Sequence, residues 1–215
     1  MNLARPQREP TAGAPTEPKA GDRGSRRRGE ALTSAIGRAT LEELARTSFE
    51  ELSFDKIATA AGTGKAALYR RWSTPAELVL AALTDPATGF GDVPAAPHTG
   101  SLRADLITLL TRFARGLEEP RGRALRPLIA HRHRHPELFE HVHRLVIRPH
   151  LEVLLTVLRQ AAERGQAAPE HVTERVAALG PRMIILESWE HDHVDPREVE
   201  ALVDEVLLPL LRPRR

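Results

Sequence analysis

The chain has 215 residues, with 31 basic and 29 acidic side chains and a formal net charge of +2. It contains no cysteine, which excludes disulfides, thiol catalysis and cysteine-based zinc sites. No apolar run approaches membrane-spanning length and the N-terminus lacks the apolar region of a secretory signal. We therefore expect a soluble protein of the cytoplasm with no membrane partner.

The N-terminal region divides into a tail and a first helix. Residues 1–24 carry four prolines among small polar residues and show no apolar periodicity, which predicts a disordered tail. From about Arg26 to Arg46, apolar residues such as Ile36 and Leu44 recur at helical spacing, which predicts a helix.

The next segment has clear helix boundaries. Ser53 is a favourable N-cap, and Leu52 and Ile57 hold the two positions of a hydrophobic staple. We expect Ile57, Ala60 and Ala61 to form the apolar face of this helix and Gly62 to end it. A three-residue turn then leads into a helix over 65–72.

The rest of the chain is predicted to be helical on either side of one connection. Thr74-Pro75-Ala76-Glu77 combines a capping box with a proline at the first helical position, and this helix runs to about Thr84. Residues 85–100 contain three prolines and three glycines and are predicted to link two domains. The later predicted helices are 101–118, 122–133, 137–164 with a bend or break at Pro149, 169–190 and 196–210. No strand-like alternation is present, so the predicted class is all-α.

The stretch AGTGKAALYRRW, residues 61–72, has two possible interpretations. A phosphate-binding loop needs a glycine five positions before Gly64 and a hydroxyl after Lys65. This chain has Thr59 and Ala66 there, and no strand-like run precedes the segment. The sequence therefore rejects a nucleotide-binding loop.

Two short helices joined by a glycine turn, the second of them basic, are typical of a helix-turn-helix. We expect Leu68 and Trp72, four residues apart, to point inward. Tyr69 and Arg70 would then lie on faces that can meet a DNA groove, and Ala66 and Ala67 would let the backbone approach the bases. These residues alone leave open a helical hairpin whose arginines are merely solvated.

Residues 53–83, SFDKIATAAGTGKAALYRRWSTPAELVLAAL, resemble the DNA-binding signature of the tetracycline-repressor (TetR) family. The positions that match in order and spacing are Ile57-Ala58, Ala61-Gly62, Lys65, Leu68-Tyr69-Arg70 and Trp72. The C-terminal half also resembles one effector-domain type of that family, at Gly100-Ser101-Leu102, Gly122-Arg123-Ala124, His135-Pro136-Glu137-Leu138 and Arg148-Pro149. The resemblance implies a helix-turn-helix domain over 25–84 and an effector-binding and dimerisation domain over 101–215.

The predicted DNA-binding residues follow from this resemblance and from the facing argument. They are Arg28, Ser53, Thr63, Gly64, Lys65, Ala66, Ala67, Tyr69, Arg70, Arg71 and Thr74. The chain departs from the family pattern at Thr63, Gly64 and Pro75, and we expect Thr63 to take over helix capping. The run Arg26-Arg27-Arg28 is predicted either as a minor-groove arm or as a solvated basic segment.

The resemblance also implies a homodimer formed through helices 169–190 and 196–210. The apolar face proposed for that seam is Val199, Leu202, Val203, Val206, Leu207 and Leu210, and ordinary intrachain core is the alternative.

Five of the ten histidines fall within residues 131–143, HRHRHPELFEHVH, but their spacing does not favour a metal site. We expect no metal, no cofactor and no enzymatic activity. Instead we predict a largely aliphatic effector pocket with polar groups at its mouth. Its predicted residues are Phe113, Leu117, Leu128, His131, Phe139, His143 and Trp189.

The sequence therefore predicts a repressor that binds double-stranded operator DNA as a homodimer and is released by a small apolar effector. Two alternatives stay open at this point. One is a constitutive DNA-binding protein whose C-terminal half only dimerises. The other is a helical enzyme or metal-binding protein with a coincidental helix-turn-helix.

Overall fold

The structure, a computed structural model, describes residues 20–191 and 193–213, with side chains described from residue 29 onward. The chain divides between Leu32 and Thr33 into a first and a second compact unit. All regular secondary structure in the described residues is helical, as predicted. Across these residues, no helix combines the length and apolar character needed to cross a bilayer.

The first helix, α1 (Ala20–Arg46), ends where the sequence predicts and begins earlier. Residues 20–24 are helical, which corrects the end of the predicted disordered tail, while 1–19 lie outside the described residues. Pro18 is the last proline before the helix, so nothing beyond it blocks helical hydrogen bonding. Within the second unit, Ile36 and Leu44 are fully buried.

Gly37 lies where α1 packs closely against other elements of the second unit. A Cβ at this position would lie 3.1 Å from Thr88 Oγ1 and 3.8 Å from Ala82 Cβ. The glycine weakens helix propensity in the sequence, and in the fold it allows α1 to approach α4 (Pro75–Thr84).

The helix-turn-helix consists of α2 (Phe54–Ala60) and α3 (Lys65–Tyr69). Gly62 has a φ of +63°, and its amide and that of Thr63 donate to Thr59 O and Ala58 O at 3.2 and 2.9 Å. This is the Schellman arrangement that the predicted C′ glycine requires.

The inward face of α2 differs from the predicted one. Phe54, Ile57 and Ala58 are buried, whereas Ala60 is exposed and Ala61 half-buried. The spacing of 54, 57 and 58 places these three side chains on one helical face, and Ala60, about 110° from the centre of that face, falls beyond its edge. The predicted apolar set was therefore wrong for Ala60.

Residues 85–101 contain no helix and form a turn that is held close to the end of α4. Asp85 Oδ1 accepts hydrogen bonds from the amides of Ala87 and Thr88 at 2.9 and 2.8 Å. The amide of Phe90 donates to Leu83 O at 2.7 Å. At Gly89 the chain passes back close to the last turn of α4. A Cβ at this position would lie 2.3 Å from Ala82 O, so only glycine fits there.

The C-terminal region is a bundle of shorter helices than predicted. They are α5 (Leu102–Glu118), α6 (Pro120–Ala130), α7 (Pro136–Val142), α8 (Arg148–Glu163), α9 (Glu174–Ala177), α10 (Leu179–Glu190), α11 (Pro196–Ala201) and α12 (Leu208–Leu211). The predicted helix 169–190 is divided, because a 3₁₀ turn at Pro169–His171 and a new N-cap at Thr173 precede α9. Fully buried side chains from α5, α8, α10 and α12 share one core, including Leu110, Leu158, Ile184 and Leu211.

Two π-helical turns, His143–Ile147 and Leu202–Leu207, each end two residues before a proline. A proline has no N–H and its ring clashes with the carbonyl four residues earlier. In each case the carbonyl four residues before the proline lies within the wider π turn. The backbone therefore stays helical from α7 into α8 despite Pro149. The bend or break predicted at Pro149 is thus realised as a π turn.

Candidate nucleic-acid interface and effector region

The recognition helix α3 is oriented by one fully buried side chain. Leu68 is 0% exposed and packs inward as predicted, and Trp72, just beyond the helix, is half-buried. On the outer side, Tyr69 is 63% exposed and Arg70 is exposed. The helix therefore presents a polar and aromatic face to solvent.

Tyr69 is held in place by a residue that the sequence interpretation did not single out. The rings of Phe54 and Tyr69 meet edge to face, with centroids 4.7 Å apart and an interplanar angle of 85°. Since Phe54 is buried in the first turn of α2, it fixes the direction of the exposed tyrosine. The position of Phe54 beside the N-cap Ser53 is the sequence signal that could have identified it.

The basic side chains of α3 differ in their freedom. Lys65 forms an ion pair with Asp55, and Arg71 donates a hydrogen bond from Nη1 to Ala67 O at 3.1 Å. The guanidinium of Arg70 has no hydrogen-bond or ion-pair partner among the described residues. Of these basic side chains, that of Arg70 is therefore the one most available to bind DNA.

Two predicted DNA-binding residues cap the flanking helices. Ser53 Oγ accepts from the Lys56 amide at 3.3 Å, and Thr74 Oγ1 accepts from the Glu77 amide at 3.2 Å. Glu77 Oε2 accepts from the amide of Ser73 at 2.8 Å, one residue before the N-cap whose amide a capping box would use, so the predicted box forms only in part. Each hydroxyl keeps its own proton for donation.

The predicted roles of Ala67 and Thr63 differ from the structure, and the side chain of Arg28 lies outside the described residues. Ala67 is only 7% exposed and packs in the core, so Ala66 alone presents a methyl group to solvent. Gly64 is the N-cap of α3 with no side-chain hydrogen bond, so Thr63 does not take over the capping role. The side chain of Arg28, like those of Arg26 and Arg27, lies outside the described residues.

Comparison with known families agrees with this geometry. Residues 36–82 match the bacterial regulatory proteins of the tetR family, and residues 96–206 match the tetracyclin repressor-like C-terminal domain. The chain belongs to the TetR family. It is accordingly a DNA-binding transcriptional regulator, and its relatives are regulators rather than enzymes.

Two relatives extend the similarity over most of this TetR-family chain. It is 32% identical over 165 residues to the DNA-binding transcriptional repressor TetR of Mycobacteroides abscessus, covering 75% of this chain and 84% of that protein. It is 31% identical over 161 residues to an HTH-type transcriptional regulator of Mycobacterium bovis, covering 74% and 78%.

Solved structures of the TetR family share the fold. A TetR family transcription regulator has 27% identity and a TM-score of 0.60, covering 85% of this chain and 99% of that one. A protein of Mesorhizobium loti assigned to the family has 17% identity and a TM-score of 0.65, covering 85% and 96%.

Among the residues predicted to bind an effector of this TetR-family regulator, Phe139 and His143 lie together, with ring centroids 6.4 Å apart. Phe113 and Leu117 pack on the main core, Leu128 is buried in α6, and Phe139 is half-buried in α7. His131 is half-buried with Nδ1 3.1 Å from Pro127 O, while His143 is exposed. Trp189 is 43% exposed on α10.

Neither of two cavities found among the described residues of the C-terminal bundle is lined by any of the seven predicted residues. The first lies between Leu110, Leu158 and Leu207 and has a volume of about 10 Å³. That is room for roughly one water molecule, so this cavity is too small for an apolar effector. The second is an open cleft of about 600 Å³ beside α5 and the start of α6.

The histidine-rich segment joins the two predicted domains. His135 Nε2 lies 3.1 Å from Glu50 Oε1, a residue 85 positions earlier, and Arg134 Nη1 lies 3.6 Å from the same oxygen. The His135 ring also meets Phe49 edge to face at 4.7 Å. A hydrogen bond from its own backbone amide, followed by the one from His135, lowers the pKa of Glu50 to about 2.

Helix α4 packs against α7 and the π turn that follows α7. The Glu50–His135 contact and this packing are therefore two places where the C-terminal region contacts the N-terminal domain. Within the described residues, no group of three or more histidines and carboxylates is placed to hold a metal ion.

Proposed function

We propose that this TetR-family regulator is a repressor that binds a pseudo-palindromic operator as a homodimer and leaves it when a small molecule binds. The observation that carries the proposal is the outer face of α3, where Tyr69 and Arg70 stand exposed while Leu68 is fully buried. A short helix that presents an aromatic hydroxyl and an uncommitted guanidinium fits the major groove.

The residues around α3 would make different contacts with DNA. Arg70 has the freedom to reach a guanine edge or a phosphate, and Tyr69, held by Phe54, can donate to a phosphate. Ser53 and Thr74 begin the helices on either side and can donate their hydroxyl protons to the backbone. Lys65 must give up its ion pair with Asp55 to do the same.

The proposed dimer surface differs in part from the predicted seam. Val199, Leu202, Val203 and Leu207 belong to the chain's own core, so only Val206 and Leu210 of that set remain exposed. On α10, which packs beside the π turn containing Val206, Met183, Leu186 and Trp189 are exposed as well.

These five side chains form one apolar face on the last helices, and we call it the α10 face. A second copy of the chain is the occupant that the proposal requires, because two recognition helices must reach successive major grooves. The apolar face at the C-terminal end of the bundle supports that arrangement.

Release by a ligand requires that the ligand bind more tightly to a dimer that cannot hold DNA. Such couplings are typically about 1–3 kcal/mol, or about 5- to 150-fold in affinity. The contacts of α4 with α7 and of Glu50 with His135 support the presence of such coupling.

The test is selection of bound fragments from the protein's own genome, followed by titration at several salt concentrations. We expect an inverted repeat to be enriched and affinity to fall steeply with salt, because phosphate contacts release counterions. A dimer with no preference for any genomic fragment over random DNA would contradict the proposal. Specific binding that no small molecule from a broad library weakens would leave a constitutive regulator instead.

A further inference from the structure

The open cleft beside α5 has no role in the predictions from sequence. It follows the outer side of α5 and the turn into α6, and its volume is about 600 Å³. Its lining includes Ile107, Thr111, Arg112, Arg115, Glu119 and Arg121. Drug-sized ligands occupy clefts of roughly 300–1,000 Å³, so the cleft is large enough for a small organic molecule.

The charge of the lining is strongly positive. Three guanidinium groups face one carboxylate, that of Glu119. Arg115 has no hydrogen-bond or ion-pair partner among the described residues, and Arg112 has only a loose pair with Asp92 at 3.7 Å. These two arginines retain donors for an incoming anion.

Arg121 is fixed more firmly but is not satisfied. Its Nη1 donates to Gly89 O at 2.7 Å, and its guanidinium lies 5.3 Å from the centre of the Phe90 ring. Its Nε lies 2.8 Å from Glu119 Oε2, in a geometry that makes no hydrogen bond, so this buried N–H has no acceptor. A buried donor without an acceptor is costly, and an anion in the cleft could relieve it.

The lining also contains groups that suit the uncharged part of a ligand. Ile107 is half-buried against the main core and provides an apolar wall. Thr111 adds a hydroxyl within the same helical face. We propose that this cleft binds an organic anion, a carboxylate carried on a short apolar group, as the effector of the repressor proposed above.

The cleft is connected to the helix-turn-helix through the turn after α4. Arg121 holds Gly89 O and Arg112 pairs with Asp92, so both arginines also secure the segment that follows Thr84. A ligand carboxylate that binds these two guanidinium groups competes with Asp92 for Arg112 and with the Gly89 carbonyl for Arg121. Ligand binding thereby loosens the return of the chain at the end of α4, which is adjacent to α3 in sequence.

This inference rests on the proposed function for its consequence, but the binding itself is tested without DNA. Full-length protein is titrated with octanoate and with 1-octanol by calorimetry, and its melting temperature is measured with each. We expect octanoate to bind once per chain and to raise the melting temperature, and 1-octanol to bind at least about tenfold more weakly, as loss of a charge-assisted hydrogen bond predicts.

The variants are Arg112→Gln and Arg115→Gln, with Arg175→Gln as the matched control. Arg175 is exposed in α9, has no partner in the described part of the chain and does not line the cleft. We expect each cleft variant to weaken octanoate binding about tenfold or more, and the control to bind as the wild type does. None of the three should change the melting temperature without ligand, since each side chain is exposed.

Three results would each overturn the inference. They are no octanoate binding, equal octanoate binding by the wild type and both cleft variants, and equal affinity for octanoate and 1-octanol. Operator affinity is measured separately without octanoate, where Arg115→Gln should equal the wild type. If the protein binds its operator specifically but does not bind octanoate, only the proposal for the cleft is contradicted. If it binds octanoate but shows no preference for an operator, only the proposed repressor function is contradicted.

Discussion

The helix-turn-helix and the effector region of the same chain differ in how their functional surfaces arise. Between Ser53 and Thr74 the helix boundaries are set by neighbours within a few positions, through caps and a glycine turn. In the bundle beyond Leu102, the small core cavity is formed by helices that are distant in sequence, whereas the open cleft is lined by residues 107–121 of α5 and α6. A short motif therefore encodes the proposed DNA-binding surface, whereas the arginines of the proposed ligand cleft are positioned by contacts with Gly89 and Asp92 in the turn before α5.

The sharpest test of this contrast is Leu68→Ala. Leu68 is 0% exposed, and truncating a fully buried leucine costs about 2–5 kcal/mol of unfolding free energy. We expect operator binding to be lost while the α5–α12 bundle still dimerises, as shown by denaturant unfolding and by sedimentation.

The control for that variant is Leu145→Ala, at an exposed leucine in the first π turn. Its effect should stay within about 0.5 kcal/mol. An equal loss of stability in both variants would show that burial of Leu68 does not determine the orientation of α3.

The second prediction concerns the α10 face. Leu186 is 55% exposed, so Leu186→Asp should leave the fold of one chain intact and place two carboxylates in the dimer seam. We expect the dimer dissociation constant to rise at least about tenfold, which corresponds to about 1.4 kcal/mol, measured by analytical ultracentrifugation. Leu145→Asp, which adds the same charge elsewhere, should leave the dimer unchanged, and an unaffected Leu186→Asp dimer would show that another surface is used.

The smallest expected effect is a pH dependence of the effector region. Burial lowers the pKa of His150 from its ordinary 6.5, and the charges of Arg121 and Arg112 act in the same direction. The unfolded chain then binds the proton more readily than the folded one. The free energy of unfolding should therefore fall as pH drops below about 6.5 and through the folded pKa.

His150→Asn should remove that part of the pH dependence, measured by denaturant unfolding between pH 5 and pH 8. His141→Asn is the matched control, because each histidine has Nδ1 within hydrogen-bond distance of the carbonyl four residues earlier, and His141 is exposed. A wild-type profile in His150→Asn would show that its burial has no energetic consequence.

Most of the fold follows from local signals in the sequence. Gly62, the cap at Ser53 and the capping box at Thr74 placed three short helices correctly, because each signal acts within one helical turn. Ala60 and Ala67 were assigned to the wrong faces, since alanine is small enough to give no preference of its own. The division of 169–190 was missed because the apolar pattern continues through the new cap at Thr173.

The effector region could not be predicted in the same way. Phe113, Phe139 and Trp189 were chosen because they are large and apolar, yet they lie on separate parts of the bundle. The arginines of the cleft depend on the return of the chain at Gly89, which no periodicity indicates. The Glu50–His135 contact likewise joins positions 85 residues apart.

The central claim is that the exposed face of α3 recognises a particular DNA sequence. Fluorescence anisotropy with the selected inverted repeat and a shuffled duplex, for the wild type and Arg70→Ala, tests it most directly. We predict a clear wild-type preference for the inverted repeat and a loss in Arg70→Ala of about 1–3 kcal/mol, with the melting temperature unchanged. Arg71→Ala, whose guanidinium is bonded to Ala67 O, should lose less. Equal wild-type affinity for both duplexes, or full operator affinity in Arg70→Ala, would contradict the claim.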